Sequence, residues 1–224
     1  MCINFFFPLV LETELDIILN ALDISGEKVS YCTAIFEKKS SIDNKEAILK
    51  KARELIERRK PVIPTSFDFY FETESKKKLY FEIKYTEKEF DAKKNKNSKE
   101  YLEKYKPKYE KIYQELAHGK IQEKYDNEES FLGHYQIMRN LIHVDQNSYV
   151  IFVVPEGNEP VYAQAKQAKD FVVEKYKENV KVITWDELYV VIEEHAHGFE
   201  RKLKTHFEEF MKKYQLANIH QSTG

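Results

Sequence analysis

Six consecutive apolar residues, Tyr149-Val150-Ile151-Phe152-Val153-Val154, restrict this chain more than any other feature. Successive side chains of a strand point to opposite faces, so a strand that is apolar at every position needs cover on both sides. Such strands lie in sheets with helices packed on both faces. The residues that follow fit this pattern: a helix over 161–177, a strand from Val180 to Trp185 and a helix from Asp186 to His195 alternate as in an α/β protein.

Upstream, Leu11, Leu15, Ile18, Leu19 and Leu22 are spaced for one face of a first helix, which Ser25-Gly26 ends. Val29 to Phe36 is β-branched and aromatic and reads as a first strand. Asp43 to Lys60 reads as a polar helix, with Ile48, Ala52, Leu55 and Ile56 on its buried stripe, stopped by Pro61 and Pro64. Two further strands pair as a hairpin. In Ser66 to Glu72, Phe67, Phe69 and Phe71 share one face and Asp68, Tyr70 and Glu72 the other. In Leu79 to Thr86, Phe81, Ile83 and Tyr85 oppose Glu82, Lys84 and Thr86. Phe131 to Val144 reads as a helix, and Phe199, Leu203, Phe207, Phe210 and Tyr214 mark a last amphipathic one.

At 224 residues the chain has the length of a single domain with a sizeable addition. The expected division is one domain over 1–224, with a helical insertion at 87–128 and a C-terminal helix and tail at 198–224. Charged residues make up 33% but nearly cancel, to a net −2, and 15 Tyr with 15 Phe rule out a disordered polyampholyte. Without bulk basic charge, nucleic-acid binding has to come from a local patch. Cys2 and Cys32 are too few for a disulfide framework or a four-cysteine zinc site, so a reducing cytoplasm is expected. The apolar stretch Ile3 to Leu11 has no basic leader or cleavage site and runs into Glu12, so it reads as buried structure. No run approaches the roughly 20 apolar residues of a spanning helix, so no membrane partner is expected.

The chemistry-bearing set is Asp68, Glu82 and Lys84. Alternation puts Glu82 and Lys84 on one side of a strand and Asp68 beside them across the turn. Two adjacent carboxylates repel and call for a cation; hard oxygen ligands suit Mg²⁺ or Mn²⁺. A lysine next to them can hold a water or offset charge on a phosphate, as metal-assisted phosphodiester hydrolysis requires. The Glu-x-Lys triplet alone says nothing, since it occurs four times. Only the copy at 82–84 lies in an apolar strand with an Asp on the matching face of the preceding one. The plain alternative is a solvated sheet face with a Glu–Lys pair.

The order helix, strand, strand, strand, helix, strand, with Asp68 followed by Glu82-Ile83-Lys84, resembles the PD-(D/E)XK nuclease superfamily. Phe36-Glu37-Lys38-Lys39-Ser40, Thr65-Ser66-Phe67-Asp68, Phe81-Glu82-Ile83-Lys84-Tyr85-Thr86-Glu87, Tyr135-Gln136-Ile137-Met138-Arg139-Asn140 and Phe152-Val153-Val154-Pro155 are similar to a restriction-endonuclease-like bacterial family. The resemblance runs from about residue 30 to about 190. It implies an α/β fold: an αβββαβ core with a mixed central sheet flanked by helices, here carrying a Lys/Tyr-rich helical insertion and a C-terminal amphipathic helix. It implies a Mg²⁺- or Mn²⁺-dependent DNA endonuclease, restriction- or repair-like. Asp68 and Glu82 would ligate the metal with the Ile83 carbonyl, and Lys84 would activate water or stabilise the transition state. Gln136 matches a glutamine that relatives place near the site, and Arg139, three residues on, would reach phosphate. Phe67 stands where the superfamily pattern has proline. Relatives often add a Glu from the first helix; Glu14, on the apolar stripe, is preferred here over Glu12, against the alternative of a glutamate favoured by a helix dipole. On the same fold, a catalytically silent nucleic-acid-binding or interaction module is the other reading.

Residues 87–128 are rich in Lys and Tyr and are expected to be helical around 98–117. Lys93, Lys94 and Lys96 would contact phosphates and the interleaved Tyr101, Tyr105, Tyr109 and Tyr113 would stack on bases; a solvated helix with charge pairs is the alternative. His195, His197 and His206 read as polar helix-end residues rather than a metal cluster, and Trp185 as core. The aromatic stripe of the last helix would pack on the sheet or form a dimer contact. Cutting both strands of a duplex needs two sites, which makes a homodimer an expectation.

Overall fold

The structure, a computed structural model, describes residues 1–43 and 64–214. Five strands in the described residues form one mixed sheet in the order β1 (Val29–Lys39), β2 (Ser66–Thr73), β3 (Lys78–Ile83), β4 (Ser148–Val154) and β5 (Val180–Thr184). The first three pair antiparallel, and β3, β4 and β5 run parallel. Helices cover both faces, so the architecture is α/β with a restriction-endonuclease-like core. Of the expected helix over 43–60 only Asp43 is described; the rest of it and the tail lie outside the described residues.

The apolar run behaves as its composition demands. Ile151 and Val153 of β4 join one core, together with Phe69, Phe71, Phe81, Trp185 and the helices α1 (Cys2–Leu11) and α2 (Asp16–Ala21). Val150, Phe152 and Val154 join a second core on the opposite face. That core holds the helical segment α3 (101–117), α4 (Glu128–Gly133), α5 (Tyr135–Leu141) and α6 (Glu159–Phe171). The first core is closed by α7 (Trp185–His195) and α8 (Arg201–Tyr214).

The first helix differs from the expectation over Leu11 to Leu22. It is two helices, α1 and α2, with Thr13 at φ 55° between them, a left-handed backbone that no helix continues through. Pro8 inside α1 removes a helical N–H, which leaves the Asn4 carbonyl without its intrahelical donor; His206 Nε2 of α8 donates to that oxygen at 2.8 Å. The N-terminal stretch is half buried: Phe5, Phe6 and Leu9 face the core, while Ile3, Phe7 and Leu11 are exposed. The helix over Phe131 to Val144 is likewise two, broken at His134, and that over 161–177 ends at Phe171 before a 3₁₀ turn at Glu174–Asn179. Strand β3 stops at Ile83, and β1 runs three residues past Phe36.

The aromatic stripe packs inward: Phe199, just before α8, and Leu203, Phe207 and Phe210 within it are buried, with Phe207 and Phe210 ring-to-ring with Phe5. It is core, so it is not a dimer contact. Trp185 is fully buried as expected.

The tyrosines of the insertion are corrected as well. Tyr101, Tyr105, Tyr109 and Tyr113 are all buried, the last three packed against Phe131 or Tyr135 and Tyr101 donating its hydroxyl to Glu128, and are not available to stack on bases. A spacing of four overshoots the α-helical turn by about 40° at each step. The segment keeps all four on one face by widening to π-helix at Tyr101–Tyr105 and Tyr109–Tyr113.

Candidate active site

Strand β3 enters the site from the middle of the sheet. Its register, Phe69 against Phe81, is the last regular pair with β2. Beyond it the strands part, and the Asp68 carboxylate fills the gap: Asp68 Oδ2 accepts the Ile83 N–H at 2.6 Å. A side chain therefore takes the hydrogen bond that a continued ladder would have given to a main-chain carbonyl. Because β2 runs antiparallel, its beginning meets the C-terminal end of β3, the end of a parallel sheet at which ligands bind.

Alternation fails at this point. Phe69 packs in the core beneath α1, but Phe67 lies on the other face, with its ring 4.8 Å from Tyr80 and 4.8 Å from His143. The neighbouring strand switches at the same level. Phe36 packs on Phe69, whereas Lys38 lies over Tyr70 on the opposite face. Glu37, between them, is at φ 53°, and the register around it sets it opposite Asp68. Two adjacent strands thus turn over together, and a carboxylate stands at the crossover in each.

Glu82 is nearly inaccessible, at 4% exposure. Burying an ionised carboxylate costs several kcal/mol unless donors replace water. Three do: Gln136 Nε2 donates to Oε1 at 2.5 Å, Asn140 Nδ2 to Oε2 at 3.0 Å, and the Lys84 ammonium lies 3.1 Å from Oε1. Gln136 and Asn140 are one turn apart on α5 and so present both amides to the same group. Gln136 Oε1 also accepts the Asp91 N–H, and its own N–H donates to the Asp91 carbonyl, which fixes the segment after β3. Lys84 is itself buried: its ammonium lies 5.3 Å from the Phe90 ring centre, and Trp185 Nε1 donates to its carbonyl at 2.9 Å.

Burial, with the Glu82 charge beside it, pushes the Asp68 carboxyl up to about 7, against the pull of the Ile83 N–H and Lys84. Burial also raises Glu82, opposed chiefly by Lys84 and the Asn140 amide. A pair of carboxylates held in this state is what a divalent cation relieves, and hard oxygens are the ligands that Mg²⁺ and Mn²⁺ take. Among the described residues no group of three or more His, Cys, Asp or Glu gathers closely enough to hold a metal ion, so main-chain and solvent oxygens would have to complete the shell. The donor set fits a water-rich Mg²⁺ site better than a closed protein cage.

The other expected residues fall as follows. Glu14 lies in the link between α1 and α2, beside Tyr31 near the start of β1; β1's other end carries Glu37, so Glu14 does not join Asp68. Glu12 caps the end of α1. The carboxylate that does stand near Asp68 from outside the hairpin is Glu37. Arg139 turns away from Gln136: its guanidinium is 3.9 Å from Asp43 Oδ2 and 5.1 Å from the Tyr135 ring centre. Lys93 pairs with Asp91 at 2.7 Å and lies over Tyr105, Lys96 pairs with Glu129 at 2.9 Å, and Lys94 is exposed. His195 and His206 contact main-chain carbonyls.

A second buried polar set anchors α5. Ser40, at the end of β1, donates its hydroxyl to His143 Nε2 at 2.6 Å, while His143 Nδ1 donates to the Arg139 and Asn140 carbonyls. Burial depresses His143 to about 4, which keeps the ring neutral and able to accept. The contact ties the helix that carries Gln136 and Asn140 to the strand that carries Glu37.

A family model for a restriction endonuclease associating with ARP matches residues 1–215, and the chain belongs to that family. No curated protein and no solved structure matches it.

Proposed function

We propose that the protein is a metal-dependent DNA endonuclease of the PD-(D/E)XK type. The observation that carries this reading is the meeting of Asp68, Glu82 and Lys84 where β2 and β3 part, with Glu82 clamped by two amides. Asp68 and Glu82, with the Ile83 carbonyl, would hold Mg²⁺ or Mn²⁺. When bound, the ion supplies charge neutralisation at a phosphate oxygen. Lys84 donates toward the attacking water or the phosphate, held in place by its bond to Trp185 and by Glu82. Gln136 and Asn140 position Glu82 rather than touch substrate. Lys94 and Lys96 offer phosphate contacts at the rim. Attack in line leaves a 5′-phosphate end, and a homodimer would supply the second site a duplex needs. The family's description extends the reading to association with ARP.

The test is plasmid cleavage in Mg²⁺ or Mn²⁺ by the parent, Asp68→Ala and Lys84→Ala. Cleavage by the parent alone, reduced at least 100-fold in both variants, is expected; equal or absent cleavage in all three overturns the catalytic reading. One observation favours the silent-module alternative: both Glu82 oxygens are already engaged by protein donors. Mn²⁺ titration by electron paramagnetic resonance separates the two. The catalytic site loses its bound ion on Glu82→Ala, whereas a silent module binds none.

A further inference from the structure

Among the described residues, strand β5 is the open edge of the parallel half of the sheet, paired with β4 alone. Among the described residues, no loop or side chain takes the outward main-chain groups of Lys181, Val182 or Ile183. Along this edge runs a groove of about 700 Å³ with Leu22 and Ile183 in its floor. Its lining holds six acidic residues, Asp23, Asp186 and Glu194 among them, against two lysines, an excess of four negative charges. No ion pair among the described residues neutralises these acids. Asp186, in the first turn of α7 just beyond β5, has a buried Oδ1 with no hydrogen-bond partner, and an oxygen in that state calls for a donor.

We propose that this edge takes up an extended, lysine-rich segment of a partner protein as a sixth strand. Main-chain pairing to β5 supplies the affinity, and side chains that alternate apolar and basic supply the selectivity, apolar toward the floor and basic toward the rim. The charge decides against a second copy of this chain, because edge-to-edge pairing of two β5 strands would bring two acidic rims together. The half-exposed Lys181 on the strand and the acids around it keep the edge from indiscriminate pairing. Because β5 lies two strands away from β3, a segment docked here leaves the Asp68–Glu82 site open. The proposal is independent of the nuclease reading.

The experiment uses the full chain with a synthetic peptide of five Lys-Val repeats, its Glu-Val counterpart, and a version of the Lys-Val peptide with proline at alternate positions. Binding is followed by fluorescence anisotropy and by amide hydrogen exchange. The Lys-Val peptide should bind and slow exchange at residues 181–183 at least tenfold, while the other two should not bind. Asp186→Lys with Glu194→Lys should weaken binding at least tenfold, and Lys181→Glu should tighten it about threefold; the second variant keeps the test decisive should the first unfold. Binding without protection of 181–183, equal binding of the proline peptide, no binding of any peptide, or concentration-dependent dimerisation through this edge would overturn the proposal.

Discussion

Asp68 is the residue on which most depends, and its titration has a definite sign. Its carboxyl sits near 7 in the fold, against about 3.9 in an unfolded chain. Between those values the native state holds more protons than the unfolded one, so stability falls as pH rises through the window. Asp68→Asn removes that contribution. The variant should match the parent at pH 4 and exceed it at pH 8 by about 2 kcal/mol, a figure reduced for partial exposure. Urea melts at the two pH values check this, and a difference that does not change with pH would refute it. Millimolar Mg²⁺ should recover much of the same stability in the parent at pH 8 and little in the variant, since only a ligand bound to the native state raises Tm.

At the scale of elements, the insertion helix separates two roles that its composition mixes. Tyr109 is core, so Tyr109→Ala should cost about 3–5 kcal/mol. Lys94→Ala with Lys96→Ala should change stability by less than about 1 kcal/mol yet weaken DNA binding and lower the salt slope by about 2. Thermal melts and binding isotherms across salt concentrations read the two apart. A stable Tyr109→Ala that loses DNA would restore base stacking. The elements also show what could be read in advance. The run 149–154 announced a strand covered on both faces because it is β-branched and aromatic throughout, and a strand apolar at every position needs cover on both sides. Asp68, Glu82 and Lys84 were legible because only their copy of the triplet sat in an apolar strand. Glu14 was misplaced because a continuous 3.6-residue stripe hides a break made by one left-handed residue, Thr13. Glu37 was missed for the same reason: period-two alternation cannot foresee a left-handed turn within a strand, nor the change of face by Phe67 at the same level of the neighbouring strand. Asn140 closes the stretch Tyr135 to Asn140, and its spacing of four from Gln136 was the signal available.

At the scale of the whole molecule, hydrogen bonds as well as packing join the two cores to the site. One of them is Trp185 Nε1 to the Lys84 carbonyl, which links the first core to Lys84. Trp185→Phe keeps most of the buried surface but leaves that carbonyl without a donor, at a cost of about 1–3 kcal/mol. Cleavage should fall more than tenfold while Mn²⁺ affinity, set by Asp68 and Glu82, changes less than threefold. An unchanged cleavage rate would mean that Lys84 is held without Trp185, by its contacts with Glu82, Glu87 and Val153.

The bond from His206 to the carbonyl that Pro8 leaves free joins the last helix to the first. Cys2, in the first turn of that first helix, lies against the main chain of Asp68, its Sγ 3.6 Å from the carbonyl oxygen. During synthesis, then, a ribosome-tethered chain that has not yet released α8 leaves Phe5 and the α1 surface above Asp68 without their lid.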